Sequence, residues 1–291
     1  MKIYRNKKSE KGILETYDRL LELWEIAYEE RDIITRYGTC HVIITGKENG
    51  HPLVLFHGVG DDSALMWIYN VKELGKHFRI YAIDTIGGPG KSRPNENYNK
   101  QFDDAVWIDE TLNGLGLECV DLAGVSHGGY LVQYYCLVRP ERVHKAISMA
   151  SSVPAGKNNP LKIMMKIFLP EALFPTKGNV KKLIIKLSGK NVGVFVDNPV
   201  IMEHYGYLLK GFNNMAMAYH KVINFDDQQI DTIRNKILYL VGEKDPFEIL
   251  GGKDMLLKHH MQVRFFPEVG HGINHEIFDT INEIIIDTLK E

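Results

Sequence analysis

The chain has 291 residues, of which 44% are hydrophobic, 25% charged and 10% aromatic, and its net charge is −2. These are the proportions of a globular protein long enough to bury a core without metals or disulfides. A near-neutral balance excludes a global field that would attract nucleic acid or anionic lipid.

Three dispersed cysteines, Cys40, Cys119 and Cys136, argue against a disulfide framework and a thiolate metal site, and fit a reducing compartment. Met1 to Gly12 is lysine-rich and lacks the apolar run of a secretory leader. No apolar stretch approaches the ~18–20 residues that span a bilayer. A soluble cytoplasmic protein, free of membrane and nucleic-acid partners, is therefore expected.

In chain order, Ser9 to Glu30 reads as a helix, with Ile13, Leu14, Tyr17, Leu20, Leu21, Trp24 and Tyr28 at roughly helical spacing. Ile33–Tyr37 and His41–Thr45, separated by Gly38-Thr39, predict a β-hairpin. Short apolar runs follow at Pro52–Phe56, Arg79–Ile83, Cys119–Val125, Lys145–Ala150, Ile237–Val241 and Gln262–Phe266. Continuous rather than alternating apolar strands imply burial on both faces, as in a parallel sheet covered by helices. Helical patterns at Ser63–His77, Phe102–Leu115, Gly128–Val138, Phe247–His260 and Asn274–Lys290 fill the gaps. The alternation predicts an α/β fold, a doubly wound and mostly parallel sheet.

One interval breaks the rhythm. From Val153 to about Asp227 no strand is evident, and Pro154, Pro160, Pro170, Pro175 and Pro199 punctuate helix-like pieces. The expected organisation is a core over residues 1–152, a helical cap over 153–227, and the rest of the core over 228–291. Met164, Met165, Phe168, Leu169, Phe174, Tyr205, Tyr207, Phe212, Met215, Met217 and Tyr219 make the cap apolar enough to line a ligand pocket, although packing onto the core explains most single positions. The lysines from Lys177 to Lys190 read as a solvated helix face, with an anionic-substrate site as the alternative.

The chemistry centres on Gly124-Val125-Ser126-His127-Gly128. A Gly-x-Ser-x-Gly pattern alone is a weak signal. Here it ends an apolar strand and opens a helix, the strand–turn–helix setting of a nucleophile elbow. A serine hydroxyl needs a base, and the base an orienting acid. Functional groups of such a sheet gather beyond the C-terminal ends of its strands. Two loops there carry the right residues: Asp245 after Ile237–Val241 and His271 after Gln262–Phe266. The order Ser126, Asp245, His271 is the one this sheet type uses. Asp245, followed by Pro246, is also a plausible helix N-cap, and the roles are compatible. His275 is the rival base, but its position points into the final helix. For the oxyanion, the expected donors are the backbone N–H groups of His127 and of Val59, in the His57-Gly58-Val59-Gly60 loop. His57 reads as a holder of loop geometry.

These motifs, together with Asp84-Thr85-Ile86-Gly87-Gly88-Pro89-Gly90-Lys91-Ser92, resemble the α/β-hydrolase fold superfamily over roughly residues 33 to 291. The Asp84 stretch has one residue more before its serine than the common Asp-x-x-Gly-x-Gly-x-Ser. With the N-terminal helix it is most similar to bacterial carboxylesterases of that superfamily. Serine at 126, in place of aspartate, separates the chain from the superfamily's haloalkane dehalogenases and epoxide hydrolases. The resemblance implies a serine hydrolase that uses no cofactor or metal and acts on a small ester-like substrate of apolar character. A C–C bond hydrolase or acyltransferase with the same triad, or a ligand sensor on the same fold, remains open at this level, as do oligomeric state and natural substrate.

Overall fold

The computed structural model describes residues 2–155, 165, 167–169, 171, 173–247 and 252–290. Met164, Pro160, Pro170 and residues 248–251 of the helix expected over Phe247–His260 lie outside them. The described residues build one nine-stranded sheet: β1 (Tyr28–Thr35), β2 (Gly38–Gly46), β3 (His51–Phe56), β4 (Phe78–Ile83), β5 (Arg93–Pro94), β6 (Val120–Val125), β7 (Val143–Met149), β8 (Ile237–Gly242) and β9 (Gln262–Phe266). The spatial order is β1-β2-β4-β3-β6-β7-β8-β9, with the short β5 on β2. The β1–β2, β2–β4 and β2–β5 pairs are antiparallel; every pair from β4–β3 onward is parallel. This is the doubly wound, mostly parallel α/β sheet that the apolar runs predict.

The alternation of side chains explains why the central runs are apolar on both faces, whereas the edge strand β9 is half exposed. In β3, Leu53 and Leu55 enter the core beneath the N-terminal and C-terminal helices, whereas Val54 and Phe56 enter the core on the opposite face. In β6, Ala123 and Val125 go one way and Val120 and Leu122 the other. A strand with a core on each side has no solvent face to mark with polar residues.

Element ends differ from expectation where local geometry overrides periodicity. The N-terminal helix spans Lys7–Glu22, capped by the Asn6 side chain, and stops short of Glu30. Glu25 adopts φ 53°, which ends the helix, and the chain turns into β1. Tyr28 satisfies both the helical and the strand pattern, and eight cross-strand pairs from Tyr28↔Thr45 to Thr35↔Gly38 decide for the strand. The hairpin turn accordingly falls at Arg36-Tyr37 rather than Gly38-Thr39. The helix expected over Ser63–His77 is two single turns, Ser63–Met66 and Val71–Leu74. The final helix is split into Ile273–Glu276 and Phe278–Lys290.

Between β7 and β8 the described residues carry no strand. Helices Lys177–Leu187, Gly193–Val196 and Pro199–Gly211 and a 3-10 turn at Asn214–Met217 precede the helix Asp227–Ile233. Helix Pro199–Gly211 lies on the N-terminal helix so closely that a Cβ on Gly12 would meet the Tyr207 ring at 2.4 Å. Beneath this contact, His204 Nε2 stands 2.8 Å from Asp62 Oδ2, and His204 Nδ1 2.7 Å from Thr16 Oγ1. His204 and Asp62 have fully buried side chains. Burial alone would raise the Asp62 carboxyl; the His204 charge and the Leu65 N–H hold it below the ordinary value. One buried polar link thus joins the N-terminal helix, the inserted helix and the loop after β3.

Candidate active site

Ser126 lies between β6 and the helix His127–Val138, with φ 58° and ψ −116°. A non-glycine residue held there costs on the order of 1–3 kcal/mol, and the surroundings impose it. The Ser126 N–H donates to Met149 O at 2.8 Å, and the Ser126 carbonyl accepts from the Tyr130 N–H at 3.1 Å. Close backbone approach requires the flanking glycines: a Cβ on Gly124 would stand 2.2 Å from Gly128 O, and one on Gly128 2.2 Å from Phe56 O. The turn therefore holds the serine at the mouth of the strand, on the wall of a cavity of about 470 Å³.

Asp245 follows β8 and His271 follows β9, and tertiary structure brings them together. Asp245 Oδ2 is 2.7 Å from His271 Nδ1, and Asp245 Oδ1 accepts the Phe247 N–H at 2.9 Å. The carboxylate is buried, while the His271 side chain keeps 18% exposure on the cavity wall. With Nδ1 turned to the carboxylate, Nε2 is the nitrogen left for chemistry. Ser126 lines the same cavity; among the described residues the two side chains make no direct hydrogen bond.

The histidine loop is held by contacts with no sequence signature. The His271 N–H donates to Leu187 O at 2.7 Å, at the end of the helix Lys177–Leu187. Glu276 accepts from the Gly270 N–H at 2.9 Å and the Gly189 N–H at 2.8 Å, clamping the two loops together. Burial pushes the Glu276 carboxyl above its usual range, and these N–H donors pull it back. Glycine is needed at the junction, because a Cβ on Gly189 would stand 2.0 Å from Glu268 O.

His127 and Val59 both line the cavity with Ser126. As the first residue of its helix, His127 has a backbone N–H without an intrahelical acceptor. Its ring packs on Tyr130 at 5.8 Å and on His220 at 5.3 Å between centroids, with Nε2 buried and without a hydrogen bond. Burial, with His220 beside it, pushes the ring well below its ordinary pKa. Val59 is carried by the loop whose Gly58, given a Cβ, would approach Ser126 Cβ to 3.3 Å. His57 pins this loop. Its Nε2 accepts the Thr85 N–H at 2.8 Å, so the proton sits on Nδ1, which donates to Gly58 O at 2.8 Å. Burial lowers the His57 pKa and keeps the ring neutral.

The Asp84–Ser92 motif is architectural. Asp84 accepts from the Tyr17 hydroxyl at 3.0 Å and from the N–H groups of Ser63 and Lys91 at 3.0 and 2.6 Å. Ser92 Oγ ties Asp84 O to the His41 N–H. His275 is also structural. It sits in the short helix Ile273–Glu276 with Nε2 donating to Leu65 O at 3.0 Å, and burial pushes its pKa down to about 4.

The cavity lining departs from the sequence expectation. Of the apolar residues singled out there, Phe168, Tyr205 and Phe212 face it, whereas Met165, Phe174 and Met215 are exposed. Instead, Val180, Leu183, Ile184 and Leu187 line it, spaced to share one helical face, with Lys177, Lys181, Lys182 and Lys186 outward. The solvated-face reading of the lysines is the correct one. Asp61 also lines the cavity. Burial, with Asp62 next to it, pushes its carboxyl well above the usual range and favours the uncharged acid.

A family profile described as alpha/beta hydrolase fold matches residues 51–174. An uncharacterized carboxylesterase, nap, of Bacillus subtilis is 37% identical over 290 residues, covering 96% of this chain and 93% of that protein. Carboxylesterase YbfK of the same species is 38% identical over 133 residues, which are 46% of this chain and 45% of that protein. In three dimensions the chain is similar to naproxen esterase (carboxylesterase NP) from Bacillus subtilis, with a TM-score of 0.83 at 24% identity over 98% of this chain and 99% of the other. The carboxylesterase CesB (YbfK) structure gives 0.81 at 24% identity over 97% and 98%. Near-complete coverage by a relative well above 30% identity joins the sheet order and the elbow in one conclusion: the chain belongs to the α/β-hydrolase fold family.

Proposed function

We propose that this enzyme is a serine carboxylesterase acting on small, apolar esters through Ser126, His271 and Asp245. The observation that carries the reading is the Asp245–His271 bond on the wall of the cavity that Ser126 enters from a strained elbow. Ser126 Oγ attacks the ester carbonyl carbon and passes its proton to His271 Nε2. The backbone N–H groups of His127 and Val59 take the oxyanion, and the helix N-terminus behind Ser126 adds a favourable field. On collapse, His271 gives the proton to the departing alkoxide, leaving an acyl-serine. Water attacks that ester with His271 again as base, releasing the acid and restoring Ser126. Asp245 holds the ring with Nδ1–H inward throughout.

The aliphatic wall of Val180, Leu183, Ile184 and Leu187 supports an apolar substrate. Among the described residues no helix is long and apolar enough to cross a membrane; three free cysteines, Cys40, Cys119 and Cys136, support a reducing cytoplasmic location. Labelling with a fluorophosphonate and locating the adduct by mass spectrometry tests the mechanism. An adduct on Ser126, with turnover of short p-nitrophenyl esters beyond one equivalent, is expected. No adduct, or an adduct on another serine, overturns it.

A further inference from the structure

At the other end of the sheet, the strands that carry the elbow begin with a second constellation. His51 opens β3, Asp121 is near the start of β6, and His144 is near the start of β7. One potential ligand atom from each lies within 4.8 Å of the others. Ser126 and Asp121 stand at opposite ends of β6, on the order of 16 Å apart at the usual rise per residue, so this cluster plays no part in the serine chemistry.

We propose that His51, Asp121 and His144 form a binding site for one divalent transition-metal ion of the zinc class, which staples the N-terminal ends of β3, β6 and β7.

Three observations carry this. First, the register between β6 and β7 shifts at this point: Val120 pairs with Val143 and Leu122 with Ala146, so His144 and Lys145 both face Asp121. An extra residue of this kind re-aims a side chain, and here it sets His144 Nδ1 3.1 Å from Asp121 Oδ1, with the Lys145 N–H on the same oxygen at 3.0 Å. Second, Asp121 is fully buried, yet among the described residues its Oδ2 has no hydrogen-bond donor. His51 Nε2 stands 3.1 Å away, an ion-pair contact when the ring is protonated, and makes no hydrogen bond to it. An orphaned buried carboxylate oxygen is costly, and a cation shared with the two imidazoles satisfies it. Third, the ammonium nearest in sequence does not fill that place: Lys145 Nζ is spent on Thr288 O at 2.9 Å.

Two imidazole nitrogens and one carboxylate oxygen suit zinc, with water completing a tetrahedron whose ligand atoms stand roughly 3.3 Å apart. The His51 and His144 side chains are 45% and 49% exposed, so their rings can close the remaining distance and the ion can enter from solvent.

Calorimetric titration of the intact chain with zinc chloride tests the site, alongside the double variant His51→Gln/His144→Gln. The wild type should take up one equivalent and release protons as it does so. In the double variant the affinity should fall at least about tenfold, while metal-free ester turnover is unchanged. Zinc at about 100 times its Kd should lower the wild-type unfolding constant about 100-fold, and the double variant's far less. Equal affinity and equal stabilisation in both proteins would place the ion elsewhere, His271 included, and overturn the proposal. So would the absence of binding by the wild type at micromolar zinc.

Discussion

Two histidine–carboxylate pairs in this molecule have nearly the same contact distance and opposite fates. His271 and Asp245 are 2.7 Å apart, His204 and Asp62 2.8 Å. In the first pair the carboxylate takes Nδ1, and the ring stays 18% exposed with no hydrogen bond to Nε2 among the described residues. In the second the carboxylate takes Nε2, Thr16 takes Nδ1, and exposure is zero. A third pair, His220 with Asp104, likewise spends its other nitrogen on a carbonyl, that of Ile86. A base must keep one nitrogen uncommitted beside the nucleophile; a brace commits both. The difference lies in what surrounds the pair, which no local sequence records.

The comparison can be broken most sharply at Ser126. Ser126→Ala should lower kcat for p-nitrophenyl esters by about 10⁶-fold while leaving the unfolding midpoint in urea nearly unchanged. Substantial residual turnover would remove the serine from its assigned role. Asp245→Asn should cost about 10⁴-fold in kcat, because the amide no longer holds the productive tautomer of His271. Steady-state kinetics on a variant shown to be folded by circular dichroism would decide this.

His204→Leu should do the reverse. It leaves Asp62 as a buried charge without its partner, costing about 3–5 kcal/mol of stability, whereas kcat of the folded fraction changes only a few-fold. Denaturant unfolding and active-site titration measure the two effects separately; a catalytic collapse without loss of stability would contradict the brace reading.

Acid offers a gentler probe. His275 falls from the ordinary 6.5 to about 4 in the folded protein, so between those values the unfolded chain binds more protons. Stability should therefore be highest above pH 6.5 and decline as the pH falls toward 4, by about 3 kcal/mol from this residue. His57 and His127 push in the same direction. Urea midpoints across this range should slope less in His275→Gln; an unchanged slope would exonerate the residue. The smallest effect is expected from Glu276→Gln, about 1 kcal/mol, since the amide keeps one acceptor for the Gly189 and Gly270 N–H groups and loses the other. Its sharper signature is a raised backbone exchange rate at Gly270 and His271.

Much of the sheet was legible because the inner strands are short, largely apolar runs that end in the loops carrying the candidate site residues. β3 delivers His57, β6 delivers Ser126, β8 leads to Asp245 and β9 to His271. Legibility failed where two periodicities share residues, as at Tyr28, and where the cavity lining had to be chosen among many apolar side chains. Methionine and aromatic content pointed to Met165 and Met215, yet the helical face of Val180, Leu183, Ile184 and Leu187 supplies the wall. Composition names apolar residues; only the docking angle of the helix says which face is inward. Glu276 and Asp62 were invisible for a related reason, since the partners that give them their roles, the Gly189 N–H and His204, lie far away in the chain.

The sequence by itself determined the alternation of strand and helix, the elbow around Ser126 and the order of its partners, because each rests on local periodicity or on glycines required at fixed neighbours. Tertiary structure alone decided which histidine meets a carboxylate on the cavity wall beside Ser126, which carboxylates are buried and with whom, and where the cavity lies. Those properties depend on what each group loses to desolvation and regains from partners brought in by the fold, and such a balance exists only once the chain is packed.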